Sequence, residues 1–388
     1  MPYLTTAPGV GGQLRMVPED FCVEEVPLYL PTGQGEHTLF YIEKRGISTA
    51  AAIRRLASAL GTPAGRFSSA GLKDAEAVAR QTLSVQGMAP ERLRNLELDG
   101  VKVLWADRHR NRLKIGHLAA NRFQIRIRSL TPDALPPAKA IVQELVKRGV
   151  PNGFGYQRFG LTGRNHELGR LLVKGRADCF IRAYLGSDGR NDSSAEARAL
   201  FGKGDLEAAL AAWPRHLAVE RRVLQRLRTT GLASEAMRAL PRSLTRFLVS
   251  AYQAFLFNRL LAERMPHIGT LERGDLAIKH VNGAFFEVLD PTLEQPRADA
   301  LEISPSGPLY GRKTRLAHER PGDRERALLD HEAVDLSDFG SQSPGGRRPF
   351  RVPLQEASLS WDEGLLLSFM LPPGSYATSV LREITKTF

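Results

Sequence analysis

Apolar and polar positions alternate through much of the first third of the chain. DFCVEEVPLYL (20–30) alternates and breaks at Pro27, and HTLFYIEKRG (37–46) is rich in strand formers and ends on glycine. Both predict strands. STAAAIRRLASALG (48–61) then changes to helical period: Ser48 or Thr49 can cap it, Ile53, Leu56 and Leu60 share one face, and Gly61 ends it. FSSAGLKD returns to an extended-to-turn pattern, and RQTLSVQG (80–87) predicts another strand. PPAKAIVQELVKRG (136–149) predicts a helix opened by prolines and closed by Gly149.

Beyond residue 160 the texture turns helical over 194–212, 217–230 and 240–265. In the last of these, Leu244, Phe247, Leu248, Ala251, Phe255 and Leu256 form a wide apolar stripe that stops at Pro266. Extended pieces are expected around 276–290 and 296–303, a linker over 331–349, and strand texture again over 365–384. This return of strand texture predicts an α+β body interrupted by a second domain.

One segment changes the picture. In RHRNRLKIGHLAANRFQIRIR (108–128), Arg108, Arg110, Arg112 and Lys114 fall at every second position. After Gly116, Arg122, Gln124, Arg126 and Arg128 alternate with Phe123, Ile125 and Ile127. The expected object is a β-hairpin with one basic face, on which Arg108 to Lys114 would span roughly 20 Å. A solvated sheet face normally mixes charge signs. The seven Lys/Arg here, with no Asp or Glu between 108 and 128, favour a polyanion instead. The chain as a whole carries +12, and residues 1–160 hold 22 Lys/Arg against 14 Asp/Glu, so most of the excess is N-terminal. Charge of this kind suits nucleic acid, because each neutralised phosphate releases counterions.

Several chemistries lack their signatures. No GxxxxGK[ST], HExxH or GxGxxG stretch occurs, and no histidine pairs with Cys22 or Cys179 at zinc spacing. No run approaches the ~20 apolar residues of a membrane span. The N-terminus lacks a signal-peptide pattern, so a cytoplasmic protein is expected. Side-chain chemistry on a polyanion, with no cofactor or metal, is what remains. Asp74, in AGLKDAEAVARQ (70–81), is then a nucleophile, a surface charge, or the cap of a helix begun at Ala75.

LRMVPEDF (14–21), AGLKDAEAVARQ (70–81), VPNGFGYQRFG (150–160) and FMLPPGSYATSVLRE (369–383) together resemble the signatures of the TruD family of tRNA pseudouridine synthases, in the same order. GEH (35–37), the ANRF of 120–123 and LFN (256–258) match as well. The resemblance runs from about residue 13 to the C-terminus. It implies an α+β fold in which a pseudouridine synthase catalytic domain with a mixed or antiparallel sheet (1–157 plus 346–388) is interrupted by an inserted α+β TRUD domain (158–345). It also implies cofactor-free isomerisation of uridine to pseudouridine in tRNA, usually at uridine 13 in the D-stem, by a protein expected to be monomeric.

By the same resemblance Asp74 is the catalytic carboxylate. Lys73 and Arg15 are candidate cations beside it, and Glu19 could hold such a cation in place. Phe21 is either support for the site or plain core. Asn152 offers an amide donor and acceptor to the edge of uracil, and Phe154 and Phe369 match positions near the target base. Arg108, Arg110, Arg112, Lys114 and Arg158 are expected on the RNA backbone, although Arg158 could equally be an ion-pair partner. Departures from the family pattern are Arg15 where lysine is usual, Ala75-Glu76 after the aspartate, Ala79 before Arg80-Gln81, and Gly153 where an aromatic is common. A non-catalytic RNA binder on the same fold, or a synthase with another target, are the rival readings.

Overall fold

The computed structural model describes residues 1–160, 162–187, 192–340 and 343–387. The chain forms two compact units, one of Tyr3–Asn152 with Val352–Phe388, the other of Met1–Pro2 with Gly153–Arg351. The fold is α+β.

The first unit is built on a ten-stranded sheet. Its long strands are β1 (Phe21–Pro27), β2 (His37–Arg45), β3 (Val78–Gln86), β4 (Val101–His109), β5 (Leu118–Arg128), β6 (Gln355–Trp361) and β7 (Leu365–Leu371). They run in the order β6-β7-β5-β1-β3-β2-β4. Only β1 and β3 pair in parallel; the other long neighbours are antiparallel. Helix α1 (Thr49–Ala59) covers one face, and Leu56 joins Phe40, Ile42, Leu83 and Val85 in an apolar core. Ser48 caps α1 by accepting the amide of Ala51.

The strand phase explains which side chains are inside. On β5, Phe123, Ile125 and Ile127 are buried, while Arg122 and Gln124 are exposed. On β1, Phe21, Val23 and Glu25 share the buried face. A carboxylate in a core phase requires a partner, and one is present.

The expected hairpin over 108–128 does not form. β4 ends at His109, and β4 and β5 are separated in the sheet by β2, β3 and β1. Residues 110–117 form a loop pinned by buried Leu113, whose amide donates to Ser84 Oγ, and by the amide of Gly116, which donates to Ala70 O. Nor is the basic face of β5 unpartnered. Arg122 pairs with Glu356, Arg126 with Asp362 and Arg128 with Asp20. These acids come from distant sequence, so a local count of charges could not reveal them.

The second unit joins helices, among them Asn165–Val173, Ala218–Thr230 and Arg242–Arg264, to a four-stranded antiparallel sheet. Three expectations are corrected at the C-terminal side. Much of 296–303 is helical, because Asp290 caps a helix Pro291–Asp299. The 331–349 stretch is no simple linker: Gly346–Pro349 pairs as a strand with residues 306–309. After β7 the chain turns into a helix, Ala377–Thr385.

Candidate active site

No helix begins at Ala75. Residues 71–77 form an irregular loop leading straight into β3, so Asp74 is not a helix cap. The loop is fixed by the turn between β2 and α1. The Lys73 amide donates to Thr49 Oγ1 at 2.9 Å, and Thr49 Oγ1 donates to Gln81 Oε1 at 2.9 Å. The Gly46 amide donates to Ala77 O, and Lys44 Nζ donates to the carbonyls of Ile47 and Asp74.

Held this way, the Asp74 side chain stays 21% exposed. Its Oδ1 accepts the Glu76 amide at 3.1 Å and its Oδ2 accepts Arg15 at 2.5 Å. The Arg15 guanidinium also lies 3.9 Å from the Glu76 carboxylate and 4.6 Å over the Phe21 ring. Arginine's planar fork permits both the stack and the ion pair. The acidic residue at 76 is thereby accounted for: it faces the same cation that pairs with Asp74. Below Arg15 the rings continue, Phe21 edge-on to Phe123 at 6.2 Å and Phe123 stacked on Phe369 at 5.2 Å. Phe369 is 1% exposed, deep in this stack.

Lys73 points elsewhere. Its ammonium pairs with Glu25 at 2.9 Å and donates to Asn121 Oδ1 at 2.6 Å, while the Thr82 amide donates to Glu25 Oε1. The cation that meets the Asp74 carboxylate is therefore Arg15. Glu19 pairs with Arg45 rather than with Arg15 or Lys73. Lys44 is fully buried, and burial pushes its ammonium down to about 8, against the pull of Asp74 and with the repulsion of Lys73.

The other expected residues lie on other segments of the chain. Asn152 is buried at the end of the first unit. Phe154 and Arg158 belong to the second unit, where Asn258 clamps both backbone groups of Phe154 at 2.9 Å. Arg348 and Arg158 lie 4.4 and 5.3 Å over the Phe154 ring. A side chain at Gly153 would meet the mobile end of Met1 at 2.9 Å and Asn258 at 3.4 Å, so nothing in the structure demands glycine there. Arg108 is at the end of β4, and Arg110, Arg112 and Lys114 are exposed on the following loop. Arg112 is tied to Ser68 Oγ and Gly65 O, so it serves the loop's own structure.

Sequence reasoning missed Glu25 and Lys44. Both were signalled by strand phase, Glu25 in register with Phe21 and Val23, Lys44 with Phe40 and Ile42.

The family model described as tRNA pseudouridine synthase D (TruD) matches residues 1–384. The chain belongs to the TruD family. Proteins named tRNA pseudouridine synthase D from Geobacter metallireducens and Geotalea daltonii are both 45% identical, over 99% and 100% of this chain and 97% and 100% of theirs. A crystal structure described as a TruD protein of Methanosarcina mazei superposes with a TM-score of 0.83 at 28% identity, covering 100% of this chain and 96% of that one. As a TruD protein the chain is an isomerase, a pseudouridine synthase. No helix among the described residues is long and apolar enough to cross a membrane.

Proposed function

We propose that this TruD protein converts uridine to pseudouridine in tRNA, at uridine 13 of the D-stem, with Asp74 as nucleophile, acting as a cytoplasmic monomer. The observation that carries the reading is the Arg15–Asp74 pair, a part-exposed carboxylate aimed by a braced loop at a cation stacked on Phe21. In the isomerisation the N1–C1′ bond breaks and C5 bonds to C1′. The C5 proton leaves and N1 regains one, so no atom or electron is gained overall. A carboxylate is needed beside the sugar, either to attack or to balance charge there, and the Arg15 guanidinium pairs with it. The uridine must leave its stack to reach it. Asn152 suits the uracil edge and Phe154 is assigned to the base, while Phe369, buried against Phe123, backs the site from within the ring stack.

In this reading the catalytic domain is 1–157 with 346–388 and the TRUD domain is 158–345. Arg108, Arg110, Lys114 and Arg158 are assigned to phosphates, with Arg112 shaping the 110–117 loop that carries Arg110 and Lys114. The test is Asp74→Asn on purified tRNA, read by carbodiimide-sensitive primer extension. The expected result is no pseudouridine, and formation at the wild-type rate sinks the mechanism. Mapping pseudouridine in cells lacking the protein checks the site: a loss at another position would reassign the target.

A further inference from the structure

The most anomalous group near Asp74 is the one with no obvious chemistry. Lys44 is 0% exposed, yet its Nζ donates to two neutral carbonyls, those of Ile47 and Asp74. A buried ammonium without a carboxylate bonded to it is costly, and a methionine would fill the same core position without that cost. What the charge obtains is a grip on the backbone of the residue whose carboxylate meets Arg15. We propose that Lys44 is a positioning residue of the isomerisation, its ammonium fixing the Asp74 backbone so that the carboxylate is aimed. This rests on Asp74 being the catalytic carboxylate.

The surroundings support a role for charge rather than for filling. Lys44 lies opposite Ala79 on β3 and Val101 on β4, neither of which titrates. The β2–α1 turn, Gly46–Thr49, brings no titratable group. The charged groups facing it come from the 71–77 loop: Asp74 and Lys73, with Glu76 and Arg15 reached through Asp74. The loop has no ladder of its own, so the Lys44 contact, the Thr49 contact and the Gly46–Ala77 bond hold it in sequence. Removing the proton from Lys44 removes its charge and one of its donors while leaving the packing in place. Burial brings that event to about pH 8. Because the folded value lies below the ordinary one, losing this proton favours the folded state from about pH 8 upward. An activity loss in that window is thus separable from unfolding.

The experiment measures single-turnover isomerisation of a tRNA transcript, with enzyme in excess, from pH 6 to 9.5, for wild type, Lys44→Met and Lys44→Arg, alongside tRNA affinity and thermal melting. The expected wild-type rate falls above about pH 8. K44M should be slowed at least tenfold at pH 7, with affinity within twofold and no alkaline fall in that range. K44R, which stays charged throughout, should also lack the fall. A folded K44M within twofold of wild type overturns the inference, as does a change in affinity alone. If K44M does not fold, the wild type and K44R still decide it: a flat wild-type profile, or a fall that persists unchanged in K44R, overturns it. Wild-type enzyme making no pseudouridine, or active Asp74→Asn, would instead defeat the underlying reading.

Discussion

Arg15 adopts a left-handed backbone, φ 58°, which non-glycine residues rarely do. The conformation lets its side chain fold back over Phe21 and reach Asp74, so strain and site coincide. Replacing it by methionine should lower kcat by at least a hundredfold in the same tRNA assay. Glu76→Gln, altering a side chain 79% exposed and 3.9 Å from the guanidinium, should change kcat less than threefold. Equal effects of the two would refute the assignment of Arg15 as the working cation. Lys73 and Glu25 behave differently, since both are buried. Lys73→Met or Glu25→Gln alone leaves a partner unpaired and should cost about 3–5 kcal/mol of stability by denaturant unfolding. The double variant should recover part of that; additive losses would show that the two side chains do not act as a pair. Glu25 was legible in the chain because it breaks an apolar strand phase, whereas Lys73 lies in a loop that has none. The Arg15–Asp74 pair was not derivable from spacing, its members lying 59 positions apart; only the resemblance brought the two together.

Among the elements, the β2–α1 turn has two duties. Ser48 caps the helix, and its neighbours Ile47 and Thr49 provide the acceptors that hold Lys44 and the Lys73 amide. Ser48→Ala should therefore cost about 1 kcal/mol of stability and also lower kcat several-fold. A stability loss with kcat unchanged would mean that the turn holds its shape without its cap. This helix was readable from period and cap, and β5 from its alternation. The 108–114 stretch misled because alternating charges carry no information about pairing partners. Its buried apolar residue, Leu113, anchors a loop, and the neighbours that a strand would need are already occupied. The helix Ala377–Thr385 was hidden by its β-branched residues, whose burial against the core outweighs weak helix propensity.

For the whole molecule, a charge of +12 makes RNA affinity salt-dependent. Arg110→Ala with Lys114→Ala should flatten the plot of log affinity against log salt by about 0.7–0.9 for each phosphate that the variant no longer neutralises. An unchanged slope would remove the loop from the RNA-binding surface. The arrangement of the sheet has a temporal consequence. β7 completes the edge of β5 by pairing Leu365 with Ile127, and Glu383 accepts the amides of Leu4 and Thr5. A ribosome adding 5–20 residues per second needs on the order of 10–50 s to travel from one partner strand to the other. For that interval the newborn chain exposes a strand edge rich in phenylalanine and isoleucine. The catalytic sheet is thus among the first parts translated and the last to close, and its yield in the cell depends on what shelters that edge meanwhile.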